Sequence, residues 1–509
     1  MHSQPLASVI VPVFDPGEAI DECIASLLGQ TMPAGKLELI FVDDGSTDGT
    51  AERLDALAAA HEHVRVTHIP NSGWPGRPRN VGMAMARGEF VYFVDNDDWL
   101  EPDALERLHA AAIEDAADIV VGKVVGHGKT VPRELFRESI RGSAFTPRLL
   151  ALLTPHKLFR RSMLEAHGIR FPEGRVRLED HLFVVHAYFH ARAISVLADR
   201  PYYHWVTRPD PTRNASRGGL EPEGYFGNVR DVLDLVEAHT EPGPFRDALV
   251  AHWYRGKMLG RLTGGFAKRE ETVTRPLFDA IRALALERYD DRVHERIPFN
   301  LRLRSALLRA GEPDALRTLA AFENGLKARV RARVRHEDDE LALRLTASLG
   351  GLEFERDGAA LRWIAPPGLR EPLAVADLDA AGTLPASHVQ VYLHSLRDGS
   401  EYLLPATSVL DLGEDPAVAR PVLRTRVRAS LATAAGGAPL PAGDWELRAV
   451  VSVAGFSHAR SIRRNGAPYV LSVAEPGRAV GGRRAAGLLR GVRARRGLAA
   501  LRPARLAAR

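Results

Sequence analysis

Only one of the 509 residues, Cys23, is a cysteine. An internal disulfide is excluded, and a small disulfide-held scaffold with it. A lone thiol fits a reducing compartment. No apolar run reaches the ~18 residues of a membrane-spanning helix. Met1 to Pro5 lack the basic start and apolar core of a secretion signal, so a cytoplasmic location is the expectation. No internal repeat appears, and only the C-terminal tail is of low complexity. With 45% apolar and 26% charged residues, global disorder and collagen are excluded as well. At ~150 residues per domain, the length implies about three domains.

Acidic residues are missing altogether from 478–509, where ten arginines and no lysine occur. Taking those ten charges from the net +4 leaves a body of −6. The chain is thus a mildly acidic body with a basic tail. A pI of 9.2 would suggest nucleic acid as a partner, but it reflects the tail, and no nucleic-acid binding is expected. Leu488, Leu489, Val492, Leu498 and Leu501 give the tail a weak amphipathic pattern. Basic segments are drawn to anionic lipid by ~1 kcal/mol per charge. A peripheral position at the inner face of a membrane is one expectation, and a disordered end is the other.

The first ~125 residues alternate strand and helix patterns. Short β-branched runs at Ala7–Val13, Leu37–Val42, Val64–Ile69, Phe90–Val94 and Ile119–Val125 are separated by helical spacing. This predicts an α/β domain with a Rossmann-like, mostly parallel sheet. Ligands of such sheets bind beyond the carboxyl ends of the strands. From Glu223 to about Arg335 the pattern is helical. After His336 the period becomes two, as in Trp445, Leu447, Ala449, Val451 and Val453. That predicts an antiparallel, immunoglobulin-like β-sandwich. The expected division is 1–222, a helical linker at 223–335, the sandwich at 336–475 and the tail at 476–509.

Chemistry concentrates at strand ends. The second strand runs into Asp43, Asp44, Gly45 and Ser46. Buried carboxylates there either bind polar ligand groups or make an Asx turn that caps the next helix through Ser46 or Asp48. The fourth strand ends in Asp95, Asn96, Asp97 and Asp98. In an extended segment Asp95 and Asp97 face one side. Clustered carboxylates call for a hard cation, Mg²⁺ or Mn²⁺, or serve as helix caps through Asp98 or Asp103. Between these motifs lies Asn71 to Asn80, rigid with Gly and Pro, whose backbone N–H groups and Arg79 suit a nucleotide. Glu179 and Asp180 open a helix. Their residue types alone favour a charge against the helix dipole over a general base. Gly128-Lys129-Thr130 resembles the end of a P-loop, but Lys123 stands where the motif needs Gly.

Taken in order, Val9-Ile10-Val11-Pro12, Val42 to Thr50, Arg79-Asn80-Val81-Gly82, Gly88-Glu89-Phe90 with Asp95 to Asp98, and Glu179-Asp180 resemble the family 2 glycosyltransferases of GT-A fold. Asn71 to Asn80, Thr154 to Arg160, Glu179 to Phe183, and Ile194 to Asp199 before Tyr202-Tyr203 resemble the poly(ribitol phosphate) β-N-acetylglucosaminyltransferases of wall teichoic acid. The resemblance implies that Pro12, Asp44, Asn71 and Arg79 hold the uridine half of a UDP-sugar. It implies that Asp95, Asn96 and Asp97 form the metal–diphosphate motif, with Asp97 the direct ligand and Asp95 beside it. Asp180 becomes the catalytic base, beside Glu179. Arg208 belongs to a loop over the diphosphate or acceptor phosphate, with Arg213 near it. The implied reaction is an inverting, Mn²⁺- or Mg²⁺-dependent transfer of N-acetylglucosamine to a hydroxyl of a cell-envelope polymer, by a trimer. Three positions differ from the family pattern: His181 replaces a Gln, Thr212 or Arg213 a His, and His127 or Lys129 an Arg. Three other functions remain open: transfer to another surface polysaccharide or glycolipid, a sugar-1-phosphate nucleotidyltransferase, and a noncatalytic glycan-binding scaffold.

Overall fold

The computed structural model describes residues 4–127, 129–207, 221–337 and 339–474. Arg208, Arg213 and the basic tail lie outside the described residues. Among the described residues, no helix is long and apolar enough to cross a membrane.

The N-terminal sheet has nine strands: β1 (Ala7–Val13), β2 (Leu37–Asp43), β3 (Val64–His68), β4 (Phe90–Phe93), β5 (Trp99–Leu100), β6 (Ile119–His127), β7 (Ile140–Ser143), β8 (Leu158–Arg160) and β9 (Ile194–Val206). Their order is β3-β2-β1-β4-β8-β6-β9-β5, with β7 also on β9. Six strands run in one direction, as the expected parallel sheet requires. β8 enters antiparallel between β4 and β6, and β5 and β7 run against β9. Every residue of β1 and β2 is buried, which explains their unbroken apolar runs.

Helices cover the sheet: α1 (Ile20–Leu28), α2 (Thr50–Ala60), α3 (Gly76–Met85), α4 (Ala104–Glu114), α5 (Arg161–Ala166) and α6 (Glu179–His190). A Cβ at Gly82 would lie 2.4 Å from Ile10 Cγ2, so α3 seats directly on β1. The helical region begins with α7 (Pro222–Ala238) and α8 (Pro244–Trp253), and it ends in a helix over Pro313–Gly325. Past α8 the chain makes one π turn, Tyr254–Met258.

The next strand, β10, spans Lys327–Glu337, so the last residues of the stretch expected to be helical form a strand. Its Arg329, Arg331, Arg333 and Arg335 alternate with Ala and Val, a period-two pattern that belongs to the sheet. Two larger antiparallel sheets follow. One pairs β10 with strands 340–350, 422–430 and 406–411. The other centres on 388–395 and 443–453, and a small three-stranded sheet stands beside them. Trp445, Leu447, Ala449, Val451 and Val453 are all buried, as their alternation required. These sheets dock onto the first domain. Lys123 Nζ of β6 donates to the Glu401 carbonyl at 2.5 Å, and Arg133 pairs with the Glu401 carboxylate at 2.7 Å.

Candidate active site

The strand ends of β1, β2 and β4, the start of α3, the start of α6 and the π turn enclose one cavity of about 520 Å³. Its walls carry five acids (Asp44, Asp95, Asp97, Glu179, Asp180) and five bases (Arg79, Lys129, Arg177, Lys257, Arg261). Such a balance suits a ligand that itself brings separated charge. Pro12 and Asn96 also line it. Eight of the singled-out residues therefore meet in one space. Asn71 stands behind it, its backbone N 2.9 Å from where a Gly45 Cβ would lie. Gly45 has φ +76°, so this turn needs glycine for both reasons.

The two carboxylates after β2 divide the work between them. Asp43 accepts from the Ser46 N–H at 3.0 Å and pairs with His68 at 2.8 Å, making the Asx turn. Asp44 faces the cavity and accepts from both the N–H and hydroxyl of Ser72, each at 2.9 Å. Burial pushes its carboxyl up from the ordinary value, against those two bonds. Helix α2 is preceded by Gly49, with Asp48 accepting the Thr50 N–H at 3.2 Å.

Asp95 to Asp98 form a turn, closed by Asp98 N–H to the Asp95 carbonyl at 3.1 Å, in place of the expected extended segment. Asp98 neither caps a helix nor lines the cavity. It accepts from the Tyr203 hydroxyl at 2.5 Å and the Val206 N–H at 2.8 Å, tying the motif to β9. Asp95 accepts from Arg79 at 2.9 Å and His156 at 3.2 Å. Burial opposes its ionisation, yet Arg79 and His156 hold it well below the usual carboxylate range. Side-chain ligand atoms of Asp95, Asp98 and His156 lie within 4.8 Å of one another, and His156 Nδ1 is buried without a partner. Asp95 and Asp97 on the cavity wall supply the carboxylate oxygens that Mg²⁺ and Mn²⁺ prefer, so the residues present fit a hard divalent ion.

Leu178, left-handed at φ 65°, turns the chain into α6. Glu179 is buried and accepts from Arg79 at 3.2 Å, so one guanidinium, itself 4% exposed, ties α6 to the Asp95 turn. Asp180, its side chain 27% exposed, keeps the place on the cavity wall. Burial and the adjacent Glu179 charge push it up to about 7. Lys257 of the π turn and Arg79 oppose that rise. His181 is buried, and its Nδ1 accepts the Trp253 indole N–H at 3.1 Å. An indole can only donate, so Nε2 of the neutral ring bears the proton, 4.0 Å from the Asp180 carboxylate. Burial keeps this ring far below the ordinary imidazole value.

Several cavity residues were not foreseen. Lys257 and Arg261 come from the helical region, which a motif search of the sheet domain does not reach. Arg261 lies 4.1 Å over the Tyr225 ring. Lys129, one of the two candidates for the family's Arg, does line the cavity and reaches over Trp205 at 4.2 Å. Phe14, at the end of β1, lines the opening while 46% exposed. An exposed aromatic in a cavity was the available signal, and it appears only once burial is known.

Residues 8–172 match the family described as glycosyl transferase family 2, and residues 222–320 match the glycosyl transferase TarS linker domain. The poly(ribitol-phosphate) beta-glucosyltransferase of Bacillus spizizenii is 36% identical over 45% of this chain and 37% of its own. TarP of Staphylococcus aureus, a poly(ribitol-phosphate) beta-N-acetylglucosaminyltransferase, is 31% identical over 50% of this chain and 78% of its own. The crystal structure of S. aureus TarS 1–349 with UDP-GlcNAc superposes with a TM-score of 0.56 at 29% identity, over 66% of this chain and 96% of that one. The chain spans only about a third to a half of the first curated relatives it matches. With its mostly parallel sheet, charged cavity and linker in that order, the chain belongs to the family 2 glycosyltransferases of GT-A fold that carry a TarS-type linker domain.

Proposed function

We propose that this protein is an inverting, metal-dependent glycosyltransferase. It moves N-acetylglucosamine from UDP-N-acetylglucosamine to a hydroxyl of a polyol-phosphate polymer of teichoic acid type. The observation that carries this reading is Asp180: a carboxylate on the cavity wall, poised near neutrality, with the Asp95–Asp97 turn in the same cavity and Lys257 beside it. Pro12, Asp44 and Phe14 offer the nucleoside a floor, a hydrogen-bond acceptor and an aromatic face, with Asn71 supporting the turn. Asp97 and Asp95 would hold the ion. When bound, that ion neutralises charge on the departing diphosphate.

The remaining steps belong to the chain. Asp180 takes the proton of the acceptor hydroxyl. That oxygen attacks the anomeric carbon from the face opposite UDP, the carbon–oxygen bond to the diphosphate breaks, and configuration inverts. The His181 backbone N–H, 2.9 Å from Asp180 Oδ1, holds the carboxylate in place between turnovers, and the Lys257 charge favours its ionised form. Lys257 and Arg261 supply cations for the phosphates of an acceptor polymer. Arg208 and Arg213 keep the roles their motif positions imply, over the diphosphate or acceptor phosphate. A trimer, and attachment of the 478–509 tail to anionic membrane, complete the reading.

Glucose is the second donor to consider, because one of the relatives is named a glucosyltransferase. The test is UDP release with Mn²⁺ from UDP-N-acetylglucosamine and UDP-glucose, with ribitol-phosphate and glycerol-phosphate polymers as acceptors. Turnover with one donor and one polymer is expected. Absence of UDP binding and of turnover with every pair would overturn the proposal. Incubation with UTP and a sugar phosphate separates it from nucleotidyl transfer. Membrane recovery unchanged by deletion of 478–509 would remove the tail's role.

A further inference from the structure

Helix α6 carries His186 and His190 four residues apart, so both lie on one face near its C-terminal end. His239 follows the last residue of α7. Ring nitrogens of these three lie within 4.8 Å of one another. The ring centroids are 5.0, 5.3 and 5.3 Å apart, with interplanar angles of 62°, 64° and 88°. The rings are thus steeply inclined to one another and do not stack face to face.

The outer partners of two rings are also fixed. His239 Nδ1 lies 2.9 Å from the Leu235 carbonyl, which can only accept, so Nδ1 bears the proton and Nε2 keeps its lone pair. Phe189 stacks on the same ring at 5.0 Å and 14°. His167 stacks on His190 at 3.9 Å and 19°. A ligating histidine ordinarily donates its other N–H to a carbonyl or carboxylate, and this sets its tautomer and plane.

We propose that His186, His190 and His239 bind one divalent transition-metal ion of the zinc class, clamping the end of α6 to the end of α7. Three imidazoles suit Zn²⁺, Co²⁺, Ni²⁺ or Cu²⁺, whereas the carboxylate-rich cavity suits Mg²⁺ or Mn²⁺. Three ligands leave a fourth position for water. His190 lies ten residues beyond Asp180, roughly 15 Å along the helix axis, too far to touch a reacting atom. The clamp joins the glycosyltransferase domain to the linker by the helix whose other end carries Asp180.

The test uses the full chain without an affinity tag, stripped by chelator and titrated with Co²⁺, with visible absorption as readout and Zn²⁺ as competitor. The expected result is one tightly bound ion per chain, retained in Asp97→Ala. Affinity should fall roughly tenfold or more in each of His186→Ala, His190→Ala and His239→Ala. Zn²⁺ should raise the melting temperature of the wild type and not of these variants. Metal-free variants that melt with the metal-free wild type exclude misfolding, and His186→Gln serves if His186→Ala does not fold. UDP binding should be unchanged in all three. No tight ion, or an ion retained in His239→Ala, would overturn the site and leave a histidine packing cluster. So would loss of the ion in Asp97→Ala with the histidine variants unaffected.

Discussion

Arg79 is a single buried cation shared by two carboxylates that arrive from different parts of the chain, Asp95 and Glu179. Removing it takes a cation from both and leaves Asp95 with His156. Arg79→Met should cost about 3–5 kcal/mol, read as a lower urea midpoint. Arg79→Lys keeps the charge but loses the planar fork, so it should rescue only part of that loss. Asp180 gives the opposite sign. Folded, it holds its proton up to about 7, against ~3.9 in an unfolded chain, so the fold loses stability as pH rises between those values. Asp180→Asn should therefore melt higher than wild type above pH 7 and match it near pH 4. Wild-type kcat/KM, which needs the carboxylate form, should fall as pH drops below about 7. The acids themselves were legible, because carboxylates placed at the ends of buried strands need a reason to be there. Their partners were not: no spacing rule says that Asp98 bonds Tyr203, or that Arg79 meets Glu179 a hundred positions away.

Elements were legible where periodicity is long and obscured where it is short. The five expected N-terminal strands are present, and β1, β2 and β4 are buried along their whole length. β8 has three residues, too few for any period, yet it separates β4 from β6. β10 falls mostly within the stretch expected to be helical, although its alternation of Arg with Ala and Val is that of a strand. The seat of α3 on β1 depends on Gly82. Gly82→Val should lower stability by about 1–3 kcal/mol, since Ile10 in the buried strand must move, and the melting temperature will report it. The π turn at Tyr254–Met258 lies in an otherwise ordinary helical stretch. It brings Lys257 to the cavity, and such turns cluster at functional sites.

At the scale of the whole molecule, the cavity is completed from outside the sheet domain. The linker supplies Lys257, Arg261 and the Trp253 bond to His181. The C-terminal sheets press on β6, whose last residues lead to Lys129. Glu401 is the central contact, accepting from Arg133 and His394. Glu401→Ala should leave Arg133 without its carboxylate and cost about 1–3 kcal/mol. Hydrogen exchange should then quicken over 123–136. An unchanged exchange pattern there would mean that the sheets rest on the first domain without restraining it.

The most direct measurement compares wild type with Asp180→Asn in two assays with Mn²⁺. One is UDP release from UDP-N-acetylglucosamine with a ribitol-phosphate polymer, and the other is calorimetric UDP binding. A base on Asp180 predicts a loss of turnover of roughly 10²–10⁴-fold with UDP affinity unchanged. Full turnover in the variant, or a wild type that does not bind UDP, would contradict it.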